Sequence, residues 1–324
     1  MNPQWIGGYY MKSLFTKGTA FAAMSLLIAG SALASNQVVN KIVNQEKCEF
    51  APKNDVKVPI GSQKAGQGLD ESTYNSAIDI VENYYKPIVA AQGATLTINR
   101  MWTNDTANST AHRSGKKWYV DAYGGLARLA IMTKDAEVAV LCHEMGHHLG
   151  GFPQGKGIFG SSWASNEGQA DYFATMKCFR RVSENDDNAG IMASAVVPNE
   201  VKDGCKNTWR STKEISLCER EAAAGSVLAQ VLYDLGHGTH SKASPRGEPA
   251  TAPSYSTPDT SVVSATNDAH PMAQCRLDTY FNGAICGVAA TEDFGKSEGK
   301  TGACAQEKGD TVGYRPTCWY KPGN

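Results

Sequence analysis

The stretch LCHEMGHHLGG, residues 141–151, puts three histidines and one glutamate within six residues. On an α-helix, positions four apart differ by roughly 40° in azimuth and about 6 Å in rise. His143 and His147 therefore project from one face, one turn apart. Two imidazole nitrogens so placed can reach a single ion at about 2.0–2.1 Å each. Glu144 lies one residue round the helix, so its carboxylate stands beside such an ion and not on it. This is what metal-assisted hydrolysis needs: a water made acidic by the ion, and an adjacent carboxylate to take its proton. The competing reading is a histidine-rich helix end with no chemistry.

A hydrolytic ion needs a third protein ligand. A histidine in an HxxGxxH continuation would fall at position 153, which is Pro153. The later run SNEGQAD offers Glu167 instead, with Asp171 four residues on and on the same helical face. Glu167 can ligate while Asp171 accepts an N–H from a ligand histidine, expected to be His143; such carboxylates fix the imidazole tautomer and raise its basicity. Gly146, Gly168 and Ala170 are small enough to let the two helices approach closely. Two histidines and one glutamate leave the fourth tetrahedral position to water, the arrangement of catalytic rather than structural zinc. His148 points to another face and can complement the helix dipole. His112, His237 and His240 have no partner spacing and are expected on surface or loops. Cys142 is expected in helix packing or as half of a disulfide.

These residues must be positioned by helices. Residues 70–92 carry Ala77, Ile78, Ile80, Val81, Tyr84, Ile88 and Val89 at helical spacing, with Gly93 to stop the helix. ATLTINRMW and WYVDAYGG read as strands, separated by the polar stretch NDTANSTAHRSGKK with a turn at Ser114-Gly115. TKDAEVAVLCHEMGHHLGG reads as the site helix, capped by Thr133 or Asp135 and stopped at Gly150 or Gly151. A second helix is expected from near Ser165 through NEGQADYFATMKCFRRV, and a third across KEISLCEREAAAGSVLAQVLYDLG. Residues 237–269, rich in Pro, Ser and Thr, read as a long loop.

The chain of 324 residues suits one large domain or two small ones. A formal net charge of −1 and 19% charged residues exclude a bulk electrostatic case for nucleic acid or an anionic membrane. Lys12 and Lys17, the apolar run AFAAMSLLIAGSALA, and Ala32 and Ala34 at −3 and −1 read as a signal peptide over 1–34, with Met11 a possible true start. Export, to the periplasm or outside the cell, fits the nine cysteines: an oxidising compartment lets several pair, and the odd number leaves one over. A local staple between Cys304 and Cys318 is expected. No later apolar run is long enough to span a bilayer. The expected organisation is an irregular segment 35–69, a catalytic domain 70–290 and a cysteine-containing tail 291–324.

HEMGHH together with NEGQAD resembles the gluzincin metallopeptidases, in particular the HtpX and CAAX-prenyl-protease type. VDAYGGLARLAIMTKDAEVAVLCHEMGH is similar to that family's run of edge strand, Gly-Gly turn and active-site helix, and DAHPMAQCR to its His-Pro motif with an Arg further on. The resemblance covers roughly residues 70–285 and is to a soluble, exported branch; the tail has no counterpart in it. It implies an α+β, zincin-like fold in which a small sheet packs on the site helices. It implies one zinc ion on His143, His147 and Glu167, with Glu144 as general base, Asp171 orienting a ligand and His270 donating to the developing oxyanion. Arg276 would hold an acidic group near the site or contact substrate, and the strand WYVDAYGG would pair with an extended peptide.

The reading is an exported zinc metallopeptidase acting on peptide or protein, an endopeptidase in preference to an exopeptidase. The alternative is a non-catalytic zinc-binding envelope or surface protein. A third possibility is latency, in which Cys48 of KCEFAPK caps the ion. Substrate, disulfide map and oligomeric state are not legible.

Overall fold

Asp70 opens the first long helix, α1 (Glu71–Ala91), by accepting the Thr73 N–H on its carboxylate at 2.7 Å. Its buried stripe is Tyr74, Ala77, Ile78, Val81, Tyr85 and Val89. Gly93, at φ 71°, turns the chain into β2 (Thr95–Met101). β3 (Ser109–Ser114) and β4 (Lys117–Tyr123) follow, joined at Gly115, φ 59°. With β1 (Cys48–Glu49) they form one sheet in the order β1-β3-β4-β2. β2 runs parallel to β4; β3 and β1 are antiparallel to their neighbours.

These details come from a computed structural model that describes residues 47–62, 67–157, 160–237 and 249–323. The expected signal segment 1–34, Met11 and His240 lie outside them. The described residues fall within one unit, Glu46–Asn324.

Two strand expectations need correction. The polar stretch before Gly115 contains β3, which apolar alternation could not signal because its inner residues are hydroxylated. Ser109 and Thr110 are buried, and their hydroxyls are satisfied on Asp121 of β4, at the carbonyl (3.1 Å) and at Oδ2 (3.3 Å). The WYVDAYGG strand, β4, is paired on both sides and cannot accept a peptide. The strand at that side of the sheet is β3, and β1 covers its outer edge.

A short helix, α2 (Gly124–Ala127), leads to the site helix α3 (Lys134–Leu149). Thr133 caps α3, accepting the Ala136 N–H at 3.1 Å, and Gly151 at φ 69° ends it. Every side chain from Ala136 to His148 is buried, so α3 is a central helix with no solvent face. The β5–β6 ribbon (Gln154–Gly157, Gly160–Ser165) connects it to α4 (Glu167–Phe173), capped by Asn166. The expected single helix continues as a wider π segment (Ala174–Phe179) and α5 (Arg180–Ser183). Then come α6 (Asn188–Met192), α7 (Asn199–Thr208), α8 (Thr212–His237) and α9 (Ala273–Ala284). The architecture is α+β. No described helix is long and apolar enough to cross a membrane.

Four disulfides join Cys142 to Cys178, Cys205 to Cys218, Cys275 to Cys318 and Cys286 to Cys304. The expected Cys304–Cys318 staple is not formed. The 291–324 segment folds back along α9 instead, so its two cysteines meet partners at the start and just past the end of that helix. It is no loose tail: Trp319 is fully buried and donates its indole N–H to Thr279 Oγ1 at 3.0 Å.

The small residues divide their work. A Cβ on Gly146 would come 2.7 Å from Ala170 Cα, so this glycine sets the α3–α4 approach. A Cβ on Gly168 would come 2.2 Å from the Trp319 ring, so that glycine makes room for the tail. Gly168→Ala is expected to destabilise the fold by about 1–3 kcal/mol through overpacking, read as a lowered midpoint in thermal unfolding. An unchanged midpoint would mean that the tail is not seated on α4.

Candidate metal centre

His143 and His147 stand one turn apart on α3, and α4 begins at Glu167, opposite them. Their facing atoms form a small triangle: Nε2 to Nε2 is 3.1 Å, His143 Nε2 to Glu167 Oε2 is 3.4 Å, and His147 Nε2 to Glu167 Oε1 is 3.6 Å. Tetrahedral ligands on bonds of about 2.0–2.1 Å lie about 3.3–3.4 Å from one another. The three groups therefore stand at spacings close to the edges of a metal's coordination shell, the carboxylate meeting each imidazole through a different oxygen, and they form a group able to hold a metal ion.

The hydrogen bonds behind the rings decide what faces the centre. His147 Nδ1 lies 2.8 Å from the Ser165 carbonyl and must carry a proton to bond it. His143 Nδ1 lies 2.7 Å from Asp171 Oδ1, an acceptor, and carries one as well. In neutral rings both Nε2 atoms then present lone pairs to each other and to the Glu167 carboxylate. Converging lone pairs repel unless a positive charge lies between them, either a metal ion or, without one, the proton that Asp171 favours on His143. Glu167 Oε2 accepts no hydrogen bond although it is buried. This is the observation on which the donor set fits a metal.

Asp171 is the hub beneath the site. Arg276 on α9 grips both of its oxygens at 2.6 Å, and the Tyr280 hydroxyl donates to Oδ1 at 2.6 Å. Arg276 and Asp171 are essentially inaccessible, so Arg276 is a support for Asp171 and not a substrate contact. Burial presses on the His143 imidazolium, but the Asp171 carboxylate outweighs it and lifts this group to about 9. At His147 burial outweighs the Glu167 carboxylate and lowers the group to about 4. Burial works against the Glu167 carboxylate, yet His270 and His147 hold it well below the usual range. Tyr280 was not anticipated; its place four residues after Arg276 was the available signal.

Glu144 is fully buried, and neither carboxylate oxygen has a hydrogen-bond partner. The Ser109 hydroxyl, which lies near it, donates to the Asp121 carbonyl instead. Burial pushes Glu144 up to about 8.

His270 Nε2 stands 3.4 Å from Glu167 Oε2 and donates to the Glu49 carbonyl of β1 at 2.6 Å. Arg276 donates to the next carbonyl, Phe50, at 2.6 Å, and the Phe50 ring meets His143 edge-on at 5.3 Å. Neither contact from this N-terminal strand was foreseen. Cys48 is the one free cysteine among those described and is half-buried. Burial, then the Glu167 and Glu144 carboxylates, push its thiol well above the usual range, which places it within electrostatic reach of the centre.

His148 sits in the last turn of α3, as expected, but it is buried and neutral and so does not complement the helix dipole with a charge. It is buried between Trp118 and Trp163, accepts from Arg113 Nε on Nδ1 at 3.1 Å, and donates from Nε2 to the Tyr119 carbonyl at 3.1 Å. Burial and Arg113 hold it neutral. His112 on β3 stacks on Tyr119, and His237 ends α8, stacked on Tyr233. A cavity of about 630 Å³ opens beyond His148, lined by Arg113, Trp118, Trp163, Ser165 and Lys177; none of the three metal-facing residues nor Glu144 lines it. The centre itself is closed over: Glu167 is 7% exposed, and His143, Glu144 and His147 are 0–1%.

Comparison with protein-family models, with curated proteins and with solved structures returns no match, so what this centre does is inferred from its own geometry.

Proposed function

We propose that the chain is an exported zinc endopeptidase with a zincin-like fold, and that His143, His147 and Glu167 hold the ion. The observation that carries this reading is the pairing of a three-donor triangle with the unpartnered Glu144 carboxylate next to it. Two imidazoles and a carboxylate, with no thiolate in the triangle, are a donor set that suits zinc. Bound there, zinc would supply a Lewis acid for the scissile carbonyl and a water of lowered pKa.

The rest is done by the chain. Glu144 takes a proton from the attacking water and returns it to the leaving amine; a carboxylate raised toward neutrality serves both directions. Asp171, gripped by Arg276 and Tyr280, keeps the His143 proton on Nδ1 and its lone pair on Nε2. His270 stabilises the developing oxyanion once its bond to Glu49 is released. Four disulfides and the signal-like N-terminus support export. The alternative, a zinc-binding module without turnover, draws support from one observation: the centre is closed to solvent.

The purified chain is expected to carry about one zinc per molecule and to cleave casein; chelation should remove both properties, and added zinc should restore both. Full zinc with no cleavage by any form of the protein would favour the binding module. Cleavage that survives complete removal of metal would end the metal-based reading.

A further inference from the structure

β1 is two residues long, yet it and the following Phe50 meet His270, Arg276 and His143. Phe50 N–H donates to the Ser109 carbonyl at 3.0 Å, so residues 50 and 48 are the hydrogen-bonded positions of the ladder with β3. The Glu49 N–H and carbonyl therefore point away from β3. That carbonyl is the one His270 binds at 2.6 Å, with Glu167 Oε2 3.4 Å from the same nitrogen. Side chains alternate, so Cys48 and Phe50 share a face with Ala111 and Ser109. Phe50 on this face packs on His143, and Cys48 feels Glu167, Glu144 and Arg113. An extended backbone thus lies along the β3 edge, its carbonyl on the oxyanion donor and its side chains turned to the metal residues. This is the pose of a bound peptide, and the chain itself supplies it.

We propose that the β3 edge is the seat of the substrate, and that residues 48–50 occupy it as an internal blocking strand that must lift for a peptide to bind. The inference rests on the endopeptidase reading for its substrate. Two further observations support it. The centre is buried although catalysis needs it open, and a cavity that does open nearby lies beyond His148 and not onto the metal-facing residues. Eight of the nine cysteines are paired, and the remaining thiol is on this strand. The strand is held by its ladder to β3, by His270 and Arg276, and by the buried Phe50 ring. Asn108 also bonds the N–H (2.9 Å) and carbonyl (3.0 Å) of the following Ala51, and all of these must release together for it to lift. The Lys47 ammonium adds a part-buried bond to Asp121 at 3.3 Å.

A lock tests the proposal in the full chain. Ala111 faces Cys48 across the ladder, and facing Cα atoms at a hydrogen-bonded position lie about 5.5 Å apart, within disulfide reach. Ala111→Cys, oxidised, should cleave casein at under about one-hundredth the rate of the same variant after mild reduction, with the parent chain treated identically as reference. Equal rates before and after reduction would overturn the proposal. A second readout does not depend on turnover. In Glu144→Gln, saturating reduced and alkylated casein should raise the rate of Cys48 alkylation by about tenfold, because the strand is displaced. An unchanged rate would also overturn it. Absence of cleavage in every form would count against the endopeptidase reading, while the alkylation rate would still decide the blocking strand.

Discussion

Glu144→Gln is expected to lower casein turnover by about 10³-fold while zinc content stays at that of the parent chain; loss of a positioned general base costs about 10²–10⁴-fold. Glutamine has the same shape but cannot take a proton. It should also be well tolerated by the fold. Both Glu144 oxygens are buried without partners, so the site penalises a charge there. The unfolding midpoint of the variant should equal or exceed that of the parent. Together these outcomes mark a residue kept for chemistry at the expense of stability. A variant that keeps full turnover would remove Glu144 from the mechanism. Glu167→Gln gives the contrasting signature: its carboxylate is one corner of the donor triangle, so zinc itself should be lost. Unchanged metal content there would mean that the third ligand lies elsewhere.

Arg276→Met is expected to destabilise the fold by about 3–5 kcal/mol, since it strips a buried carboxylate of its countercharge. Asp171 is fully buried and takes two of its 2.6 Å bonds from this one guanidinium. The midpoint should fall by on the order of 10 °C. Zinc affinity should fall by about 10–100-fold, because Asp171 then orients His143 less firmly. The pH dependence has a definite sign. Burial opposes the Asp171 charge, but Arg276 and His143 hold its carboxyl below the ordinary 3.8. The unfolded chain therefore takes up this proton first as acid is added. Stability from the pair is fully present above pH 4–5, by the unfolded carboxyl value of about 3.9, and is lost as the pH falls through the lower folded value. The parent should lose stability below about pH 4 more steeply than the variant. Parallel acid-unfolding curves would show that the pair does not carry the charge assigned to it.

How much could be read beforehand differs by element. The α1, α3 and α8 helices carry their own caps, periodicity and stops, so local chemistry announces them. β3 was missed because its inward side chains are hydroxyls satisfied on Asp121, a partner in another strand. The π segment after α4 has no sequence signal, since widening a turn changes the hydrogen-bond register and not the pattern of apolar residues. His148 looked like a dipole-complementing helix-end residue because Trp118, Trp163 and Arg113, which enclose it, arrive from β4, β6 and β3.

The i, i+4 spacings of His143 with His147 and of Glu167 with Asp171 follow from helical geometry alone, so the sequence by itself determined which side chains could share a centre. Whether the two helices face each other at ligand distance was decided only by tertiary packing, through Gly146 against Ala170. So too was the β1 strand over the site, which depends on a contact between residues more than two hundred positions apart. Local chemistry writes the first kind of fact into neighbouring residues; long-range closure leaves the second kind with no local trace.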